Sequence, residues 1–466
     1  MILLANSFFL RHDPKQLQRM KPYPPLATLL VAAGLRARGH EVALFDATFA
    51  SGVDEFVTML EATRPAVVGI LEDNFNYLTK MCTVATREAT RAMVAAAHER
   101  GCRVAVNGSD SSDSPRPYLD SGADAVLLGE ADVSFIELAD AWRESSDAPL
   151  ASLPGLVFLE PSGDLSYSAP APAVDDLDRA PLPAWDLVDD DAYRRAWRKN
   201  HGRFSWNMVA SRGCPFGCNW CAKPIFGRRY LQRSPESVAR EMRTLKEEIG
   251  PDHVWFADDI FGLTPRWIGL FADAVVRYDA RIPFMIQCRA DLLRPSVAAS
   301  LARAGAEEVW LGVESGSQKI LDAMDKGTTT DEILNATRAL RAEGIRTGWF
   351  LQLGYPGETW QDVLLTRDLV RQAQPDDIGV SVSYPLPGTK FHERVRRELG
   401  FRHNWEHTDD LAMLFHGTFT TPFYRELRDA LHDEVRTGIA DDARWMALET
   451  DGAMQRSPAP LVAVEG

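Results

Sequence analysis

At 466 residues the chain is longer than one hydrophobic core normally serves, and its 45% hydrophobic content is ample for two or three. A formal charge of -15, from 51 Lys and Arg against 66 Asp and Glu, disfavours nonspecific attachment to nucleic acid or to an anionic membrane surface. No run approaches the roughly 18 uncharged apolar residues of a membrane span, no export signal is legible, and six cysteines do not make a disulfide scaffold, so a reducing cytoplasmic setting is expected.

Residues 1–145 alternate short apolar runs with helical patterns, the sequence form of an α/β fold with a doubly wound, Rossmann-like parallel sheet. Strands are expected at 2–5, 42–45, 66–70, 103–106 and 125–128, and a helix at 26–35 stops near Gly39. Such a fold opens a ligand crevice at the carboxyl ends of strands one and three, here Asn6-Ser7-Phe8 and Leu71-Glu72-Asp73-Asn74-Phe75-Asn76. No G-x-G-x-x-G follows the first strand, so a dinucleotide is not the expected occupant.

Residues 146–203 carry Pro154, Pro161, Pro170, Pro172, Pro181 and Pro183 and read as a linker. From 204 to 400 the alternation returns, with strands at 207–210, 254–257, 284–287, 308–312, 347–353 and 378–382 and helices at 237–248, 266–277, 330–343 and 359–372. Six such units predict a partial (β/α)6 barrel, open on one side, with function at the carboxyl ends of its strands. Residues 401–466 read as a small, mostly helical region, clearest at 425–435, with a disordered tail from 455.

Ser211-Arg212-Gly213-Cys214-Pro215-Phe216-Gly217-Cys218-Asn219-Trp220-Cys221 places three of the six cysteines within eight residues, after the first barrel strand. Three thiolates suit iron or zinc, but a closed structural zinc site takes four protein ligands. Cys288 or a histidine remains open as the fourth; otherwise Cys82, Cys102 and Cys288 read as buried small hydrophobes. A four-iron cluster held by three thiolates leaves one iron open for a small molecule. Gly213 and Gly217 permit a tight loop. Arg228, Arg229 and Arg233 beyond it read equally as solvated surface or as contacts to an anionic substrate.

At this spacing, with Trp220 before the last cysteine, the loop resembles the radical S-adenosylmethionine (SAM) superfamily. The resemblance implies a 4Fe-4S cluster on Cys214, Cys218 and Cys221 and SAM on the open iron. Asp258 and Asp259 end the second barrel strand where relatives carry a Gly-Gly-Glu-type motif against the SAM amine; capping of the helix near Pro265 is the other reading, and either carboxylate serves. Gln287 and Arg289 end the third strand, with Arg289 facing the SAM carboxylate or forming a structural ion pair. Glu314-Ser315 resembles a SAM-contacting element, Gly354-Tyr355 a motif beside adenine, and Trp220 packs near adenine or fills core. The phrase 384–389 reads as a substrate-facing loop or a rigid turn.

Pro24-Pro25-Leu26 through Val42, with Gly122 through Gly129-Glu130, resembles the cobalamin-binding domain preceding the radical module in one branch of the superfamily. The cobalt-ligating D-x-H-x-x-G motif is absent, so the resemblance implies cobalt approached by Leu71, Glu72, Asp73 and Asn74. Asn6, Ser7, Asn107-Gly108-Ser109 and Gly129-Glu130 then receive the corrin or its nucleotide tail. A domain that has kept its fold and lost its cofactor is the alternative. The implied activity is cobalamin-dependent radical methylation of an unactivated carbon in a small-molecule substrate, fed by an electron donor such as flavodoxin or ferredoxin. Cyclisation or rearrangement, with cobalamin in another role or absent, is the competing enzymatic reading. A metal-stabilised binding protein leaves the strand-end motifs unexplained.

Overall fold

The computed structural model describes residues 1–76, 84–145, 149–172, 174–223, 225–399 and 413–454; Cys82 and the tail from 455 lie outside them. The chain divides into two compact units, Met1–Gly213 with Lys223–Asp259, and Cys214–Ala222 with Ile260–Gly466.

The first unit is built on a seven-stranded sheet of β1 (Ile2–Ala5), β2 (Val42–Phe45), β3 (Val67–Leu71), β4 (Arg103–Asn107), β5 (Ala125–Leu127), β6 (Leu156–Leu159) and β7 (Leu165–Tyr167), in the order 2-1-3-4-5-6-7. The first five strands run parallel, and each expected strand is present to within a residue at either end. Their apolar runs are explained by burial on both faces. Helices Val53–Thr63 and Val84–His98 bury Phe56, Leu60, Met93 and Val94 against one face, while Leu26–Ala37 and Ala131–Glu144 bury Leu35, Phe135 and Leu138 against the other. Gly69 of β3 permits this packing, because a Cβ there would press on Phe135 and Leu4 at 2.6 and 2.9 Å.

The stretch read as a linker is ordered where it is described. Strands β6 and β7 extend the sheet antiparallel from β5, and the helix Asp190–His201, capped by Asp189, packs with Trp197 donating to the Pro22 carbonyl at 2.6 Å. Prolines flank these strands rather than interrupt them, which is why the composition resembled a linker. The same unit holds β8 (Ser205–Met208), the two-residue strands β9 (Ser211–Arg212) and β10 (Leu231–Gln232), and β11 (His253–Phe256). Strand β8 ends two residues before its expected limit because the Ala210 amide is taken by the Asp258 carboxylate, at 3.2 and 3.1 Å, instead of a ladder partner.

The second unit carries four parallel strands in sequence order, β12 (Phe284–Cys288), β13 (Ala306–Glu314), β14 (Arg346–Leu353) and β15 (Asp377–Val382). Helices Pro295–Ala304, Thr330–Ala342 and Trp360–Ala373 connect them, so every crossover is the βα form that the alternation predicted. Helices Thr421–Thr437 and Asp442–Met454 follow, tied back by Arg371, which reaches both Glu434 oxygens at 2.9 and 2.6 Å.

Candidate active site

The cysteine loop turns at Gly213, whose φ of 76° and crowding against the Arg229 carbonyl exclude a side chain. Cys214, Cys218 and Cys221 are half-buried and form no disulfide. No three His, Cys, Asp or Glu side chains among the described residues are grouped to hold a single ion. Cys288 does not serve as a fourth ligand: it is buried under the Phe261 carbonyl, 3.8 Å from its Sγ, and burial pushes its thiol up to about 12. The donor set therefore fits a cluster, in which each thiolate takes a different iron, better than one zinc.

Asn219, which the sequence reading passed over, fixes the loop. Its amide donates to the Met324 carbonyl at 3.0 Å and its Nδ2 to the Ala323 carbonyl at 2.8 Å, while its own carbonyl accepts from Phe391 at 3.0 Å. Tyr355, buried after β14, donates its hydroxyl toward Asn219 Oδ1 at 2.8 Å and the Ala323 carbonyl at 2.9 Å, so it anchors the loop. Trp220 packs with Ile320, Met324, Tyr355 and Phe391, and its indole N–H has no protein partner among the described residues.

The strand ends of this unit are tightly organised. Glu314 closes β13 in the left-handed region, φ 65°, with its buried carboxylate paired to buried Lys326 at 2.8 Å. Ser315 Oγ accepts from the Ser317 amide at 3.1 Å and lies 3.3 Å from Thr366 Oγ1. Gly354 has φ 77° and donates to Glu358 Oε2 at 2.7 Å. Gln287 is half-buried on β12, with its carbonyl accepting from Phe261. Arg289 is buried, paired with Asp291, and stacked 3.8 Å over Phe216.

In the first unit the two acidic candidates separate. Asp258 is buried and accepts from the Ala210 amide and the Ser211 hydroxyl, and burial raises its carboxyl to about 7. Asp259 is exposed. Neither caps the following helix, because Thr264 does so by accepting from the Trp267 amide at 3.2 Å. Arg212, beside the turn, is buried next to the stacked rings of Phe75 and Phe226 and binds the Glu130 and Asp132 carboxylates, so only the backbone at Gly129-Glu130 is left for the corrin role that the sequence gave it. Arg233 is likewise committed, to Glu241.

A shallow crevice opens beyond β1 and β3, where the strand order reverses, with Asn6, Ser7, Glu72, Asp73 and Asn76 in its lining. Asn6 accepts from the Ala47 amide at 2.7 Å, Ser7 from the Thr90 hydroxyl at 2.7 Å, and Asp73 from the Ala27 amide at 3.2 Å. Asn74 donates to Asn107 at 2.6 Å, and Asn107 donates to the Leu127 and Gly129 carbonyls at 3.0 and 3.1 Å. The Leu71 carbonyl accepts from Thr28. Glu72 lies so close to Gly108 that a Cβ there would collide with its carboxyl. Its Oε2 accepts from the Ser109 amide at 3.2 Å, whereas its Oε1 and the Ser109 hydroxyl are buried without a protein partner among the described residues. Burial with Asp110 nearby raises the Glu72 carboxyl to about 8, so near neutrality it holds a proton.

Residues 208–370 match the Radical SAM superfamily model. The chain carries a radical SAM domain. It is similar to an uncharacterised methyltransferase of Pyrococcus horikoshii, 28% identical over 60% of this chain and 60% of that protein. It is also similar to the hopanoid C-3 methylase of Methylococcus capsulatus, 27% identical over 81% of this chain and 70% of that one. The match thus spans less than two thirds of the first relative's length. Among solved structures, the radical S-adenosylmethionine methyltransferase TsrM of Kitasatospora setae, with cobalamin and a [4Fe-4S] cluster bound, shares the fold with a TM-score of 0.70 at 21% identity, over 86% of this chain and 76% of that one.

Within the radical SAM domain, the motif reading found strand ends and missed what holds them. Asn219, Lys326 and Asp362, which accepts from the Ser317 hydroxyl at 2.6 Å, were given no role, although the Lys-Gly-Thr-Thr stretch from Lys326 marks a helix start. Glu358 ends the Leu353–Glu358 phrase that resembles the motif beside adenine but was given no role of its own, and it carries a testable pH dependence. Burial raises its carboxyl from the usual 4.5 to about 8, and its Oε1 has no protein partner among the described residues. The folded state therefore keeps a proton that the unfolded chain releases above about pH 4.5, so this group's contribution is fully present below that pH and is lost as pH rises through about 8. Glu358→Gln is expected to reduce the fall in melting temperature between pH 5.5 and 8 and to raise the melting temperature at pH 8. An unchanged pH profile would remove Glu358 from this role.

Proposed function

We propose that the chain is a cobalamin-dependent radical SAM enzyme that methylates an unactivated carbon of a small-molecule substrate. The observation that carries the reading is the loop itself: three cysteines outside any disulfide after a glycine turn, pinned through Asn219 beside strand ends that bear Glu314, Ser315, Gly354 and Tyr355. When bound, the cluster with SAM supplies a 5′-deoxyadenosyl radical for hydrogen abstraction, and cobalamin supplies the methyl group.

Cys214, Cys218 and Cys221 hold the cluster, and a carboxylate of the Asp258-Asp259 pair that follows β11 receives the SAM amine. Glu314 and Ser315 present polar groups held rigid by Lys326 and Thr366. The Trp220 indole offers an N–H not used by the protein fold. In the first unit, protonated Glu72 and the Ser109 hydroxyl each keep hydrogen-bonding capacity for a corrin amide, with Asn6, Ser7, Asn74 and Asn107 shaping the rim. We assign 1–145 to cobalamin binding, 204–400 to the radical module and 401–466 to a helical appendage. An electron donor such as flavodoxin or ferredoxin reduces the cluster in the cytoplasm. Among the described residues no helix is long and apolar enough to cross a membrane.

The test is anaerobic reconstitution of the full chain with iron, sulfide and hydroxocobalamin. Retained iron, sulfide and corrin are expected, with dithionite-dependent release of 5′-deoxyadenosine from SAM. An intact cluster without SAM cleavage would sink the radical reading. Cleavage without retained corrin would favour cyclisation or rearrangement over methyl transfer.

A further inference from the structure

The sequence leaves Arg289 either receiving the SAM carboxylate or forming a structural ion pair, and the donors needed for the first are already used. A guanidinium has five N–H groups, and its planar edge grips a carboxylate through two parallel bonds. In Arg289 that edge is occupied: Nε donates to Asp291 Oδ1 at 2.9 Å and Nη2 to Asp291 Oδ2 at 3.2 Å, with Nη2 also reaching the Gly327 carbonyl at 3.3 Å. The face lies 3.8 Å over Phe216, inside the cysteine loop. The remaining nitrogen, Nη1, is aimed at Cys218 Sγ, 3.9 Å away. The residue is 6% exposed, so bulk water screens this charge little.

We infer that Arg289 sets the reduction potential of the cluster through the Cys218 sulfur, with Asp291 and Phe216 as the residues that hold it in place. The inference rests on the cluster reading above. Adding an electron makes the cluster more negative, and that charge spreads onto its ligand sulfurs. A buried cation and an N–H directed at one sulfur stabilise the reduced form and make the potential more positive. Asp291 acts in the opposite sense by offsetting part of the guanidinium charge. The pair therefore forms a graded setting in which each member has a signed effect.

Arg289→Met and Asp291→Asn chains, reconstituted anaerobically with iron and sulfide, are titrated with reductant while the reduced cluster is followed by electron paramagnetic resonance. SAM affinity is measured on the same samples. Arg289→Met is expected to shift the midpoint to more negative potential and Asp291→Asn to more positive potential, with SAM affinity changed less than threefold. Shifts in opposite directions are not produced by loosened packing, which moves both variants alike. Unshifted potentials in chains holding a normal complement of iron and sulfide overturn this inference alone, as does a large loss of SAM affinity in Arg289→Met at unchanged potential. Failure of the unaltered chain to take up iron and sulfide overturns the cluster reading together with it.

Discussion

Replacing any one of Cys214, Cys218 and Cys221 by Ala is expected to abolish reductive SAM cleavage, lowering 5′-deoxyadenosine release to the level of a reaction without enzyme. Two thiolates leave a second iron without a protein ligand, and the cluster loses both its anchorage and its single open site. The thiols are half-buried and unlinked, so these substitutions remove little packing, and melting of the metal-free chain is expected to change by no more than about 1 kcal/mol equivalent. Cys288→Ala is the internal comparison. It removes a buried thiol outside the donor set, so it is expected to leave iron content intact. Iron content and SAM cleavage, measured side by side on the four variants, check the assignment, and retention of full cleavage by any of the first three would overturn it.

Breaking the Glu314–Lys326 pair is expected to produce the largest loss of stability. Both residues are buried, and Lys326 Nζ lies 2.8 Å from Glu314 Oε1. Lys326→Met leaves a carboxylate buried without its cation, a change that typically costs about 3–5 kcal/mol. The double variant Glu314→Gln, Lys326→Met removes the stranded charge and is expected to recover most of that loss. The folded double variant then separates architecture from chemistry: stability returns, while SAM affinity stays reduced if Glu314 contacts the cofactor. Calorimetric melting of the metal-free chains with SAM titration of the reconstituted ones provides the two readouts. A single variant melting within about 1 kcal/mol of the unaltered chain would show that the pair contributes little.

The strands were readable because a parallel sheet buries both faces and so writes itself as uninterrupted apolar runs; β1, β2 and β14 fall within a residue of their expected limits. Strands β6 and β7 were lost among prolines, since three or four residues give no measurable period. The cysteines were legible because their spacing is itself a ligand pattern. Their supports were not, because Asn219, Lys326 and Glu358 act through hydrogen bonds and ion pairs to residues distant in sequence or fixed by the turn of the chain, and side-chain partnerships of that kind leave no periodic mark. Glu130 lies at the strand end where it was expected, and its side chain is held by Arg212, a partnership that the sequence does not show. Arg289 follows β12 as expected, and its pair with Asp291 is the structural ion pair offered beside the SAM role.

The anchoring of Asn219 also fixes an order of events during synthesis. Its partners Ala323, Met324, Tyr355 and Phe391 lie more than 100 residues downstream, so the ribosome releases the three thiols long before the groups that shape their loop. In that interval the nascent loop is an unshaped trio of nucleophilic sulfurs, open to oxidation or to a wrong metal. The loop therefore takes its final shape only once the chain past Phe391 has emerged.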